Sequence, residues 1–424
     1  MENKSLSVGL DIGTTKIVAI IGMKNDYGKF EILGFGKAHS LGVQRGVVVN
    51  ITQTIDSIKY AIKKAEEDSG YKINKCVVGI AGQHIRSLQH SDYIIRNDDT
   101  AVIAQSDIEK LIDNVHKLVM KNGEEIIHVL PQHFSVDSEP NIKLPIGMLG
   151  RRLEANLHVV IGQTTAIGNI CTCIQSSGLK VSGITLEPLA SASAVLSEEE
   201  KEAGVCLIDI GGGTTDLAIF KDGVIRHTSV IPFGGNIITK DIQQGCSIIE
   251  KHAEQLKVKF GSALPLKNSD RQVVSIPGFR GREPKEISLK TLAEIINSRL
   301  IEIIDQILIE IKNYGYEESK NTLICGIVLT GGGSNLKHIK QLFVHETGLD
   351  TRLGFPNEHL ANGERKDLDS PMYSTAIGLL MNNYKNDIEK NSKSNLKINS
   401  KTNYQDSFFD KWVKKFMEFL NNEN

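Results

Sequence analysis

The strongest constraint in the sequence is a strand, a turn and a strand written twice. Val8 to Ile21 reads VGLDIGTTKIVAII, and Val205 to Phe220 reads VCLIDIGGGTTDLAIF. Each copy has an apolar run, an Asp, a Gly/Thr turn and a second apolar run, the pattern of a β-hairpin with buried strands. By eye the second copy carries two extra residues, placed in its turn. Two related halves are the simplest reading, and 424 residues are enough for more than one core.

A third glycine turn, Gly331-Gly332-Gly333-Ser334, follows the apolar run Ile324 to Thr330 and precedes a helix-like stretch from Asn335. Ile51 to Glu67 and Ala293 to Lys312 have helical periodicity, so the expected class is α/β with mixed sheets. With 24% charged residues and a net charge of -2, no nucleic-acid partner is implied. Six scattered cysteines (76, 171, 173, 206, 246 and 325) read as reduced core thiols, and Cys171 with Cys173 lacks the second pair a zinc site needs. The opening MENKSLSVGL has no signal-like apolar stretch, and no run approaches the roughly 20 apolar residues of a spanning helix. A cytoplasmic location is expected.

Glycines in tight turns let backbone N–H groups approach a triphosphate, and Thr or Ser hydroxyls add donors. Candidate contacts are therefore Gly13, Thr14, Thr15 and Lys16 in the first turn; Gly211, Gly212, Gly213, Thr214 and Thr215 in the second; and Gly331, Gly332, Gly333 and Ser334 in the third. Lys16 would add a point charge. Asp11 and Asp209, at the ends of the first strands, suit a hydrated Mg²⁺, and Asp216 is a candidate for orienting metal-bound or attacking water. One such turn alone is usually just a hairpin; three together point to a nucleotide cleft.

The trio resembles the two phosphate motifs and the adenosine motif of actin, DnaK-type chaperones and sugar kinases. Within that superfamily, VVGIAGQHIRS (Val77 to Ser87), IHVLPQHF (Ile127 to Phe134) and PIGMLGRRLEA (Pro145 to Ala155) resemble the FtsA family of actin-like bacterial division proteins. The likeness runs over nearly all of residues 5 to 384. One departure is SEPNIK, Ser138 to Lys143, where the family has a Gly-containing loop.

The resemblance implies an actin-like two-lobed ATPase fold with ATP and Mg²⁺ in its cleft and slow, regulatory hydrolysis. It implies a first subdomain at 1–84, completed by 168–203 and 361–384; an inserted FtsA-type subdomain at 85–167; a third subdomain at 204–240, completed by 300–360; and a fourth at 241–299. Leu186 to Ala192 and Tyr373 to Leu380 resemble the two connecting helices. Gly235, Glu254 and Lys257 would join the nucleotide contacts, Glu254 and Lys257 at ribose and base, although an i,i+3 ion pair reads equally from their spacing. The insert would meet the next protomer of a filament and other division proteins. The fourth subdomain would take the C-terminal tail of FtsZ, with Arg299 facing a peptide carboxylate or serving as a helix charge. A sugar-kinase-type phosphotransferase, a chaperone and a pilus-assembly relative are the rivals.

The last segment can be read without any family. Residues 385–405 are rich in Asn, Lys and Ser without Gly or Pro, as in a flexible linker. In 406–421, at 100° per residue, Phe408, Phe409, Trp412, Val413, Phe416, Met417, Phe419 and Leu420 share one half of a helical wheel, with Lys411, Lys414 and Lys415 opposite. Such a C-terminal amphipathic helix lies in a membrane interface, or docks on the protein's own core or in a partner's groove; the resemblance implies the inner face of the cell membrane at the division site.

Overall fold

The computed structural model describes residues 6–97, 100–265, 272–278, 283–315, 322–361 and 365–384. The expected linker at 385–405 and helix at 406–421, with Phe408 to Leu420, lie outside them.

The first sheet begins with Ser7–Ile12 (β1), Lys16–Lys24 (β2) and Phe30–His39 (β3). A short pair, Val43–Gln44 (β4) and Val47–Val48 (β5), leads to the helix Ile51–Ser69 (α1). Asn50 starts that helix by accepting the Gln53 N–H, and Gly70 ends it at φ 73°. Its Ala61 and Ala65 lie on β3, where side chains at Gly34 and Gly36 would overlap the helix carbonyls. Lys75–Ile80 (β6) follows.

The chain then builds a separate unit from Ile85–Ile95 (β7), Gln105–His116 (α2), Glu124–Val136 (β8), Glu139–Ile142 (β9) and Arg152–Gln163 (β10). Its sheet runs β7-β10-β8-β9, and α2 packs Ile108, Leu111, Ile112 and Val115 against Val129, Leu153, Leu157 and Val159. At the start of the SEPNIK segment the chain makes a tight hairpin: Asp137, just before it, takes φ 52° and its carboxylate accepts the Arg151 and Arg152 N–H groups. Thr164–Ser176 (α3) and Lys180–Leu186 (β11) return to the first sheet, whose order is β11-β6-β1-β2-β3.

After Glu187–Val195 (α4) and Glu198–Ala203 (α5) comes the second sheet: Val205–Ile210 (β12), Thr215–Lys221 (β13) and Val224–Ile231 (β14). Gly235–Gly245 (α6), Glu250–Phe260 (α7), the hairpin Val273–Ile276 (β15) and Lys285–Ser288 (β16), and Leu289–Asn313 (α8) follow. Ile327–Thr330 (β17), Ile339–Thr347 (α9) and Thr351–Leu353 (β18) complete a sheet ordered β14-β13-β12-β17-β18.

Two sequence expectations change. The hairpin turns are of equal length, because Ile12 pairs with Ile17 and Ile210 with Thr215, leaving residues 13–16 and 211–214 as the turns. The extra residues of the second copy therefore lie in its strands, and Lys16 corresponds to Thr214. The third glycine turn is itself a 3₁₀ helix, Gly332–Asn335, and the α-helix starts only at Ile339.

Between the two sheets lie α4 and the helical residues 374–384. Val18 and Ile20 of the first sheet and Leu207 and Ala218 of the second share one core with Ala192, Val195, Ala376 and Ile377. The two helices touch where Gly378 meets the Ala190 carbonyl, and a Cβ at Gly9 would lie 2.7 Å from the Ala376 carbonyl. Gly378→Ala should therefore destabilise the fold by about 1–3 kcal/mol, as overpacked cores do. A melting temperature equal to that of the unmodified chain would disprove this tight crossing.

Candidate functional site

The two hairpin turns close alike: the Gly13 N–H donates to the Lys16 carbonyl at 3.0 Å, and the Gly211 N–H to the Thr214 carbonyl at 2.9 Å. They also face each other. A Cβ on Gly213 would lie 2.6 Å from Thr14 Oγ1, and one on Gly212 would overlap Thr15 Oγ1. The second position of each turn thus meets the third position of the other. Only one member of each pair can carry a side chain, so threonines in the first turn require glycines in the second.

Beside these turns opens a narrow cleft whose mouth is open to solvent. Residues 13–16 and 211–214, Gly331 and Gly332 line it together with Asp11, Asp209, Asp216, Glu187 and Thr375. Gly331 takes φ 82°, and a side chain there would overlap Asp209. Ser334 donates to the Gly331 carbonyl at 2.8 Å and closes the third turn from behind, while Gly333 packs on Ile210.

The cleft gathers four carboxyl groups around one ammonium. Lys16 Nζ is 3.9 Å from Asp11. Burial raises the Asp11 carboxyl, Lys16 opposes that, and Asp209 adds to it. Burial also raises Asp209, opposed by hydrogen bonds from Ser191 at 2.7 Å and Thr375 at 3.2 Å and by the charge of Lys16. Asp216 is pushed up to about 8 by burial and by Asp209; Thr214 donates to one of its oxygens, and the other is buried without a partner. Glu187 is held well above the usual carboxylate range, first by burial and then by Asp11, Asp216 and Asp209. Among the described residues, no three His, Cys, Asp or Glu side chains are grouped to cage a metal unaided.

Other predicted residues stand outside the cleft wall. Thr215 donates to the Phe233 carbonyl at 2.8 Å. The Gly235 N–H donates to the Gly211 carbonyl at 2.9 Å, tying the start of α6 to the second turn. Lys257 donates to the Gly235 carbonyl at 2.8 Å and pairs with Glu254 at 2.7 Å, so the i,i+3 ion pair exists and braces that turn from behind. Arg299 on α8 is gripped by Asp241 on α6 at 2.6 and 3.1 Å and also contacts Glu302. Sequence reasoning did not select Glu187, Ser191 or Thr375; their only signal was membership of the segments matched to the connecting helices.

Because Asp216 titrates near 8 in the folded chain and near 3.8 when unfolded, the folded state holds the extra proton between those values. Stability then falls as pH rises from about 4 to 8. Asp216→Asn should gain melting temperature over the unmodified chain, least near pH 4 and most above pH 8. A gap independent of pH would contradict the buried, unpaired carboxyl.

The family model described as "Cell division protein FtsA" matches residues 206–378, and "SHS2 domain inserted in FTSA" matches residues 82–161. The chain is 40% identical over 382 residues to the cell division protein FtsA of Pseudomonas aeruginosa, covering 90% of each chain. It is 32% identical to that of Escherichia coli K12, covering 89% of this chain and 90% of the relative. Among solved structures, the PilM-PilN type IV pilus biogenesis complex aligns with TM-score 0.63 at 14% identity, covering 89% of this chain and 98% of that one. MreB5 of Spiroplasma citri bound to ADP aligns with TM-score 0.55 at 16% identity, over 94% and 100%. The MamK double helical filament gives 0.51 at 12%, over 89% and 98%. These likenesses establish an actin-like fold, and the sequence identity over nine-tenths of the length is decisive for kinship: the chain belongs to the FtsA family of cell-division proteins.

Proposed function

We propose that this chain is an ATP-binding, polymer-forming cell-division protein that tethers the FtsZ ring to the cytoplasmic membrane and helps recruit later division proteins. The observation that carries the nucleotide half is the contact of the two Gly/Thr turns beside one shared cleft. N–H groups of residues 14–16 and 212–214 would hold the phosphates, with Gly331 and Gly332 toward the nucleoside, while Gly235, Glu254 and Lys257 would act on the nucleotide through the second turn that they brace. Asp11 and Asp209 fit a Mg²⁺ that keeps its waters, being too few to enclose a metal and outnumbering, with Asp216 and Glu187, the Lys16 ammonium beside them. A bound Mg²⁺ would supply positive charge beside these carboxyls, and the phosphates would lie between the two turns. Asp216, with one oxygen unpartnered, would orient water for slow hydrolysis. The same fold in a protein bound to ADP and in a double helical filament supports both the nucleotide and the polymer.

Residues 406–421 provide the membrane contact. Burying one such aromatic or aliphatic side chain gives about 1.5 to 3 kcal/mol, but interfacial burial is partial and ordering costs about 1 to 2 kcal/mol per residue. A single helix therefore binds weakly. Lys411, Lys414 and Lys415 each add about 1 kcal/mol near anionic lipid, partly offset by Asp410 and Glu418. A filament presents many helices and converts weak binding into firm attachment. The linker 385–405 would reach about 25 Å, enough to hold the body just off the surface. No helix among the described residues is long and apolar enough to cross a membrane. For the FtsZ tail, Arg299 is fixed by Asp241, and a peptide carboxylate would replace Glu302 at its outer side.

Titration calorimetry with ATP and Mg²⁺ tests the cleft. The unmodified chain should bind, and Gly212→Ala, which drives a methyl into Thr15, should weaken binding by about tenfold or more, at least about 1.4 kcal/mol. Absence of any ATP association would end the nucleotide reading. Deleting residues from Phe408 onward should leave ATP binding intact and abolish co-sedimentation with anionic liposomes; continued sedimentation would remove the terminal helix as the anchor.

A further inference from the structure

The inserted unit is joined by chain to the first sheet, where His128 accepts the Leu186 N–H, yet four of its polar side chains reach across to the second. Strand β14 is the outer edge of the second sheet. On β7, Ser87 donates to the Thr228 carbonyl at 3.0 Å and Gln89 to the Arg226 carbonyl at 2.9 Å. Donors two residues apart on one strand therefore meet acceptors two residues apart on the other, as the shared period of two allows. From β8, Gln132 donates to the carbonyls of Ile225 and Arg226 at 2.9 and 3.2 Å. From β10, His158 Nε2 lies 3.0 Å from Thr228 Oγ1. Arg226 is the extra residue of a bulge, since Phe220 pairs with Ile225 and Ile219 with His227. A bulge leaves backbone groups out of the ladder, and here side chains of the insert satisfy them. An open edge is thereby capped without lengthening the sheet.

Strand β14 ends at Ile231. Immediately beyond it, the Phe233 carbonyl accepts from Thr215, and the N–H groups of Gly235 and Asn236 donate to the carbonyls of Gly211 and Gly212 at 2.9 and 2.8 Å. One short stretch thus carries the insert's grip at one end and the second phosphate turn at the other. We propose that Ser87, Gln89, Gln132 and His158 are positioning residues for the second phosphate turn, acting through β14, so that the insert and the cleft form one coupled unit. The Pro131-Gln132 pair then has a physical role: Gln132 is a buried double donor to a bulge. A consequence is that a partner seated on the outside of the insert alters how the cleft holds its ligand, and the ligand alters the insert in return, because coupling between two sites is reciprocal.

The cleft's response can be read without any ligand. Gln132→Glu keeps the shape and removes the donor, setting a carboxylate against two carbonyls; the double change Ser87→Ala with Gln89→Ala is the milder variant if the first folds poorly. Amide hydrogen exchange should accelerate by about tenfold in peptides spanning 232–238 and 211–216, in keeping with the loss of a buried hydrogen bond. The turn at 13–16 should keep its rate. Ser91→Ala, on the same strand β7 but bonded within the insert to Asn156, should change nothing. A second arm rests on the proposed ATP binding: the dissociation rate of a fluorescent ATP analogue should rise about tenfold in the same variants. Faster exchange confined to 224–231, with 232–238 and 211–216 at their ordinary rates, would overturn the coupling. If the unmodified chain takes up no ATP yet the exchange response is seen, the coupling stands and the nucleotide reading fails. If ATP binds and both readouts stay unchanged, the reverse holds.

Discussion

The close crossing of α4 with the helical residues 374–384 fixes the distance between the two sheets, and the cleft inherits its geometry from that distance. The crossing is tight because Ala190 meets Gly378, and Gly9 lets the second helix lie flat on β1. The same helices turn polar atoms toward the cleft: Ser191 and Thr375 both bond Asp209, and they bond each other at 3.0 Å. Glu187 opens α4 at the cleft wall. Apolar packing and the placement of charge are therefore consequences of one contact, and a shift of either helix would move a carboxylate.

That placement is costly. Asp11, Asp209, Asp216 and Glu187 are all pushed toward their protonated forms, chiefly by burial, and among the described residues Lys16 is the one cationic side chain in the cleft wall. Every tenfold loss of acidity represents about 1.4 kcal/mol between the protonated and ionised forms of a carboxyl. Charges held this way by surrounding packing mark a functional site more often than a structural one. The steric match of Thr14 and Thr15 with Gly213 and Gly212 makes the same point from shape, since nothing about a hairpin alone asks for three successive glycines.

Much of this was legible in the sequence because it is written in long or repeated signals. Both hairpins are buried on both faces and so appear as unbroken apolar runs. The helices α1 and α8 carry their periodicity over 19 and 25 residues. The family motifs then identified the insert. What could not be read depends on pairs distant in the chain. The equal length of the turns follows from strand register, which aligning letters by eye missed. Glu187 is one acid beside a proline, with no spacing to distinguish it. Ser87, Gln89, Gln132 and His158 become a group only when β7, β8 and β10 are stacked against β14, and none of the four is unusual in its own strand.

The two sheets share one further problem, the exposed edge, and the chain solves it the same way twice. One edge strand of the first sheet is β3, where the Phe30 N–H donates to the His359 carbonyl and the Ala361 N–H to the Phe30 carbonyl. That covering segment arrives from beyond β18, after the second sheet is complete. The edge of the second sheet is covered by the insert, which grows out of the first. Each lobe is thus closed by chain that belongs topologically to the other, and neither could shed its cover without losing those hydrogen bonds, a net cost of about 0.5–1.5 kcal/mol each. With two such clasps and two helices between the sheets, simple separation of the lobes is the expensive motion. A small rotation about the helices, which leaves the clasps bonded, is the inexpensive one, and it would carry the insert along with the second glycine turn.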